Sequence, residues 1–176
     1  MKNLKKPIKT TLTDNAKLTS KNSRYEQPLN TMRLEISAIS ANESFARGTV
    51  AAFAAQVNPT LDEINDIKTA ISEAVTNCVV HAYRKKASGI ITIIAELFDD
   101  AITVTVSDKG IGIKDVDKAL EPFYTTRPDE ERSGMGFTVM QSFMDTLHVA
   151  SDVNHGTTIT MQKFFAKPIP KAAGGE

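Results

Sequence analysis

Apolar and polar positions alternate over residues 33–39, with Leu34, Ile36 and Ala38 on one side and Arg33, Glu35 and Ser37 on the other. A period of two is the mark of a half-buried strand. From Asn42 the period lengthens. Phe45, Val50, Phe53, Ala54 and Val57 form one helical stripe, with Asn42 as its cap and Pro59 as its break. Thr60-x-x-Glu63 makes a capping box in front of a longer helix that runs to about Tyr83. Its Ile64, Ile67, Ile71, Ala74, Val75 and Cys78 recur at the spacing of a buried face. Two apolar strands follow at 90–98 and 102–107, and Asp99-Asp100 between them predicts a hairpin. Residues 113–133 are polar, carry Pro122 and Pro128, and read as a long loop with room for one helical turn. A third helix is expected over 135–146. A final hairpin pairs 147–151 with 157–165 around Asn154-His155-Gly156. Helices in two blocks and strands in antiparallel pairs predict an α+β two-layer sandwich, with helices on one face of a mixed, mostly antiparallel sheet.

The 176 residues suffice for one domain with its own core. Residues 1–31 stand apart: seven basic against two acidic residues give a net +5, amid Thr, Asn and Ser. They are read as a disordered extension, a basic arm on nucleic acid being the sharper alternative. Met32 directly precedes the first strand, so a misassigned start or a cloned extension is a further reading. The folded domain is then 32–167, followed by a loose tail at 168–176. Over the whole chain 21 Lys and Arg balance 21 Asp and Glu. That balance gives no bulk attraction to nucleic acid or an anionic membrane. Cys78 is the single cysteine, so no intrachain disulfide forms and a reducing, cytoplasmic setting fits. No apolar run reaches the roughly 18 residues of a membrane span. The basic N-terminus lacks the continuous apolar core of a signal peptide.

Three motifs change this picture. On the second helix, Glu73, Asn77 and His81 recur every four residues and form one polar ridge away from the apolar stripe. A ridge of this kind is ordinarily a solvated face, yet Asn is a weak choice for an exposed helix position. An Asn amide oxygen is a hard ligand suited to Mg²⁺, and a carboxylate one turn away can accept a proton from an attacking hydroxyl or water. Asp108-x-Gly110-x-Gly112 follows a strand. It sets a carboxylate beside two bare positions where a flat ring can lie, and that carboxylate suits an exocyclic amine. Alone it also describes a plain turn. Gly134-x-Gly136 opens a helix whose free N–H groups and dipole favour phosphate. Arg132 and Ser133 immediately precede it, and a guanidinium there can reach a terminal phosphate. This is neither a P-loop nor a dinucleotide fingerprint. The loop between the motifs, with Pro122-Phe123-Tyr124-Thr125-Thr126, has the length of a lid. Together the motifs supply what an ATP site needs.

In order and spacing, Glu73-Ala-Val-Thr-Asn77-x-x-x-His81-Ala-Tyr, Asp108-x-Gly-x-Gly, Pro122-Phe-Tyr-Thr-Thr, Arg132-Ser-Gly-Met-Gly-Phe and Gly156-Thr-Thr resemble the GHKL ATPase superfamily. Asn42-Glu-Ser-Phe-Ala-Arg47 and Glu131-Arg-Ser-Gly-Met-Gly-Phe-Thr bring the chain closest to its anti-sigma serine kinases of sporulating bacteria. The match covers about residues 32–165. It implies a Bergerat-type sandwich holding Mg-ATP under a mobile lid, in a homodimer formed through the first strand. It also implies two linked activities, capture of a sporulation sigma factor and phosphorylation of a serine on an anti-anti-sigma factor. Nucleic acid and membrane are not implied partners. By the resemblance, Glu73 is the catalytic base, Asn77 holds Mg²⁺, Asp108 binds adenine and Arg132 meets the γ-phosphate. Gly110, Gly112, Gly134 and Gly136 line the pocket, Thr157 supports it, and His81, Thr125, Thr126 and Ser133 join the nucleotide contacts. Arg47 is a partner-contact residue. The N-terminal extension has no counterpart in the resemblance.

Other readings stay in view. A histidine kinase needs an upstream phosphoacceptor helix, and residues 1–31 contain no histidine. The gyrase, chaperone and mismatch-repair members of the superfamily carry further domains. A nucleotide-gated binding protein without kinase chemistry needs Asn77 and the glycines but not Glu73.

Overall fold

The computed structural model describes residues 27–84, 89–122 and 134–166. Five strands form one sheet in the order β1-β2-β3-β5-β4: β1 (Asn30–Ser37), β2 (Ile90–Phe98), β3 (Ala101–Ser107), β4 (Thr146–Asp152) and β5 (Gly156–Phe164). Every pairing among the described residues is antiparallel, so the mixed component expected of the sheet is not found among them. The strand β1 starts at Asn30, paired with Leu97, so Asn30 and Thr31 belong to the sheet and not to the extension. Residues 1–26 and 167–176 lie outside the described residues.

Alternation decides which face is buried. Ile91, Ile93, Ala95 and Leu97 on β2, Ile102, Val104 and Val106 on β3, and Ile159 and Met161 on β5 all enter one core. Their neighbours Thr92, Glu96, Thr103, Thr105, Thr158 and Thr160 lie on the other face and are only partly covered. The core is closed by α1 (Ala41–Ala54), α2 (Leu61–Asn77) and α4 (Gly136–Phe143). A short helix α3 (Val116–Ala119) forms the single turn expected in the long loop, with the Asp115 carboxylate accepting from Lys118 N–H at 3.1 Å.

On α1 the buried stripe is Ala46, Val50, Phe53 and Ala54. Phe45 lies about 100° from Ala46 around the helix, is 55% exposed, and is not part of the stripe. Asn42 is not the cap either. Ser40 takes that position without a side-chain bond, and the Asn42 amide donates instead to the Ser37 carbonyl at 2.8 Å.

The capping box forms as the sequence predicts. Thr60 Oγ1 accepts from Glu63 N–H at 3.2 Å, and Glu63 Oε2 accepts from Thr60 N–H at 2.6 Å. Glu63 Oε1 also accepts from Ala166 N–H, tying the helix start to the chain beyond β5. Burial raises the Glu63 carboxyl pKa, but these backbone donors outweigh it and hold the group below its ordinary value. Ile67, Ala70, Ile71, Ala74 and Val75 of α2 are fully buried, each large one contributing about 1.5–3 kcal/mol. After Asn77 the helix widens into a π-helical turn, Cys78–Ala82, before Tyr83.

The third long helix stops at Phe143, short of the expected 146. Met144 turns extended and buries its side chain. Asp145 N–H donates to the Gln162 carbonyl, and its carboxylate accepts from Phe164 N–H, so β5 captures the chain three residues early. Lys163 Nζ pairs with Asp66 at 2.7 Å and donates to the Phe143 carbonyl, locking β5 to the starts and ends of α2 and α4.

Candidate nucleotide site

The polar ridge of α2 is not a solvated face. Glu73 and Asn77 are half-buried because α4 packs over them. Gly136, at the start of α4, is the point of closest approach. A Cβ there would lie 3.1 Å from Glu73 Oε2 and 3.3 Å from Asn77 Oδ1. A carboxylate and an amide oxygen therefore converge on one small space that any side chain at position 136 would crowd. The helix above that space has Met135 at its N-cap with no side-chain cap bond. The first-turn N–H groups of an α-helix have no acceptor within it, and the helix dipole adds positive potential there. Gly134, which precedes the helix, has φ +64°. A hard cation and phosphate oxygens fit this donor and acceptor set.

His81 falls inside the π-turn and is half-buried. The π-turn removes the α-helical period on which its i+4 place beside Asn77 was predicted. It is not among the three atoms nearest the Gly136 Cβ position.

A second cluster forms at the end of β3. Asp108 is 8% exposed. Its N–H donates to the Thr157 carbonyl at 2.9 Å, its Oδ1 accepts from Gly110 N–H at 2.8 Å, and Cys78 Sγ donates to its Oδ2 at 3.6 Å. Burial pushes the Asp108 carboxyl above the usual range, and the Gly110 N–H and the thiol only partly offset this. Burial, then the neighbouring Asp108 charge, pushes the Cys78 thiol well up, so it stays a donor. Gly110 is pressed onto the π-turn, where a Cβ would sit 2.5 Å from the Ala82 carbonyl oxygen. Gly112 is pressed as closely onto the Asp152 carbonyl of the β4 end. Thr157 is buried at 7% and supports Asp108 through its carbonyl, while its Oγ1 lies 2.9 Å from Ser151 Oγ. Ser151 Oγ in turn accepts from Ile113 N–H at 2.8 Å.

Since Asn77 and Cys78 are adjacent on one helical path, the two clusters are joined. Asn77 faces the space beside Gly136, and Cys78 touches the Asp108 carboxylate. The sequence marked Cys78 only as a core position. Its contact with Asp108 follows from the π-turn, which apolar periodicity does not encode. Ser151 had no motif to mark it, and Tyr83 entered only as the last residue of the motif that begins at Glu73, with no role assigned to it.

Arg47 sits on α1 in a groove shared with Asn65, Lys68, Thr69, Ser72 and Glu73. Glu43 organises it, pairing with Arg47 at 3.4 Å and accepting from the Ser72 hydroxyl. Thr125, Thr126, Arg132 and Ser133 lie outside the described residues. Among the described residues no group of three His, Cys, Asp or Glu side chains is placed to hold a metal by itself, and no helix is long and apolar enough to cross a membrane.

Residues 36–163 match the family model described as a histidine kinase-like ATPase domain. An anti-sigma F factor of Caldanaerobacter subterraneus subsp. tengcongensis is 58% identical over 138 residues, which are 78% of this chain and 96% of that one. Anti-sigma F factors of Clostridium acetobutylicum and Clostridium beijerinckii are 56% and 54% identical over 78% and 77% of this chain, and 95% of each relative. Among solved structures, the RsbU and RsbW domains of Rv1364c from Mycobacterium tuberculosis superpose with a TM-score of 0.57 at 20% identity. That likeness covers 80% of this chain and 34% of the other, and it shows a shared fold.

Proposed function

The chain belongs to the anti-sigma F factor family of histidine kinase-like ATPases, and from that premise we propose that it is an Mg-ATP-dependent protein serine kinase that also sequesters a sporulation sigma factor. The substrate of the kinase is a serine on an anti-anti-sigma factor, and the working unit is a homodimer in the cytoplasm. The observation that carries this reading is the convergence of Glu73 Oε2 and Asn77 Oδ1 on Gly136. A protein that only binds nucleotide has no use for a carboxylate at that point.

Mg-ATP, when bound, supplies the phosphoryl group and neutralises charge on its oxygens. Asn77 would hold the metal through its amide oxygen, and the N-terminus of α4 would receive phosphate oxygens on backbone N–H groups. Asp108 accepts from the exocyclic amine of adenine. Glu73 accepts the proton of the attacking serine hydroxyl, so that the serine oxygen forms the new bond to phosphorus and ADP departs. Arg47 shares a groove with Glu73, which supports a partner held by Arg47 presenting its serine beside the base. By motif alone, Arg132, Ser133, Thr125 and Thr126 would add contacts to the phosphates.

Two results are expected. Asn77→Ala weakens ATP binding about tenfold in magnesium buffer and leaves magnesium-free binding unchanged. Calorimetry that finds equal wild-type affinity with and without magnesium contradicts the metal role. Asp108→Asn lowers ATP affinity about 10–100-fold, the worth of a hydrogen bond to a charged group. The Asp108 pKa is raised on folding above its ordinary 3.8. The folded state therefore holds that proton more tightly, and the charged form costs stability as pH rises above that value. The variant removes this cost but turns one of the two acceptors used by Gly110 N–H and Cys78 into a donor, so its melting temperature relative to wild type rises between pH 4 and pH 7. A variant that melts lower at pH 7 than at pH 4, relative to wild type, has the sign wrong.

A further inference from the structure

We propose that Tyr83 is a positioning residue for base selection, acting through the backbone on the carboxylate of Asp108. This rests on the reading of Asp108 given above and extends it to the group that aims it. The Tyr83 hydroxyl accepts from Lys109 N–H at 2.8 Å and donates to the Ile90 carbonyl at 2.8 Å. Its ring lies flat on Gly89, where a Cβ would meet ring carbons at 2.4 Å. The ring therefore has one seat, and the hydroxyl is delivered to one point. The π-turn sets that point, because Tyr83 N–H donates to the Cys78 carbonyl five residues back.

The consequence falls on Asp108. Two peptide planes meet at its Cα. The first is fixed where Asp108 N–H donates to the Thr157 carbonyl, and the second where Lys109 N–H donates to Tyr83. With both planes held, the direction of the side chain is set. Ile111 N–H, bonded to the Ala82 carbonyl at 3.2 Å, holds the far side of Gly110 in the same way. Loss of the hydroxyl releases Lys109 N–H and leaves the carboxylate held by Gly110 N–H and Cys78 alone, which loosens its aim. The ligand class affected is a purine nucleotide with an exocyclic amine at the position Asp108 reads. Binding through phosphate and metal is served by Asn77 and α4 and does not depend on Tyr83.

Tyr83→Phe keeps the ring on Gly89 and removes only the oxygen. The test compares magnesium complexes of ATP and of purine riboside triphosphate, which lacks the 6-amino group, by calorimetry on the full chain. Wild type is expected to prefer ATP by about tenfold or more, the value of one hydrogen bond to a charged acceptor. In Tyr83→Phe the preference falls to about threefold or less, while affinity for the amine-free nucleotide changes by less than about twofold. A parallel loss for both nucleotides makes Tyr83 a merely structural residue and overturns the inference, as does an unchanged preference. A wild type that does not distinguish the two nucleotides fails earlier, at Asp108, and takes the inference with it. A second measurement needs no variant. The Lys109 amide of nucleotide-free wild type is expected to be protected from hydrogen exchange, and exchange at the rate of an unstructured amide overturns the proposal.

Discussion

Glu73→Gln binds Mg-ATP with near wild-type affinity and transfers phosphate about 100-fold more slowly, with about tenfold as the smallest loss consistent with a general base. Glutamine matches glutamate in size and keeps an oxygen, but it cannot accept a proton. The side chain lies beside Asn77 at the start of α4 and also lines the groove that contains Arg47. It thus faces both the start of α4 and the Arg47 groove. Phosphoryl transfer passes through a loose transition state in which positioning carries much of the rate, so loss of the base slows turnover without abolishing it. Single-turnover transfer of labelled γ-phosphate, with the affinity measured separately, checks this. Unchanged transfer removes Glu73 from the role of base. A parallel loss of affinity makes the carboxylate part of the nucleotide-binding set.

The second large effect is on stability. Gly156→Ala is expected to lose about 3 kcal/mol, from backbone strain at a left-handed position together with a displaced neighbour. Gly156 has φ +100°, a conformation that an L side chain rarely adopts. A Cβ there would lie 2.0 Å from the Asp108 carbonyl oxygen, which is backbone and cannot swing aside. The alanine must push the β4–β5 turn away from the end of β3, where Asp108 and Thr157 are bonded. A fall in melting temperature of about 6–12 °C is expected for a domain of this size, together with weaker ATP binding because Asp108 moves. A shift below about 2 °C shows that the turn relaxes at little cost and that the strain argument is wrong.

Much of this fold was legible because its local signals agree with the tertiary outcome. Thr60 and Glu63 announce the start of α2, and the structure forms both bonds of the box. Apolar runs mark β2 and β3, and Asp99-Asp100 marks their turn. One miss has a local cause and the other a long-range one. Phe45 is the largest apolar residue near the start of α1, and size drew it into the predicted stripe, whereas geometry favours the smaller Ala46. The end of α4 is set by β5, which binds Asp145 from a distant part of the chain.

In the site, residue types that suit cation and phosphate chemistry drew attention to Glu73, Asn77 and the glycines. The structure brings Glu73, Asn77 and Gly136 together, and separately gathers Asp108, Gly110 and Thr157. What joins the two clusters is the π-turn, and nothing in the apolar period of α2 forecasts it. For that reason the contact of Cys78 with Asp108 and the reach of Tyr83 to Lys109 emerge only in three dimensions. Thr125, Thr126, Arg132 and Ser133 rest on motif alone, since they lie outside the described residues.

The measurement that meets the central claim most directly is transfer of labelled γ-phosphate from ATP by the wild-type chain to a candidate anti-anti-sigma protein, with the product residue identified. Magnesium-dependent phosphoserine on that protein is the predicted result. ATP binding with a sigma factor captured but no phosphate transferred would contradict the kinase and leave a nucleotide-gated binding protein in its place.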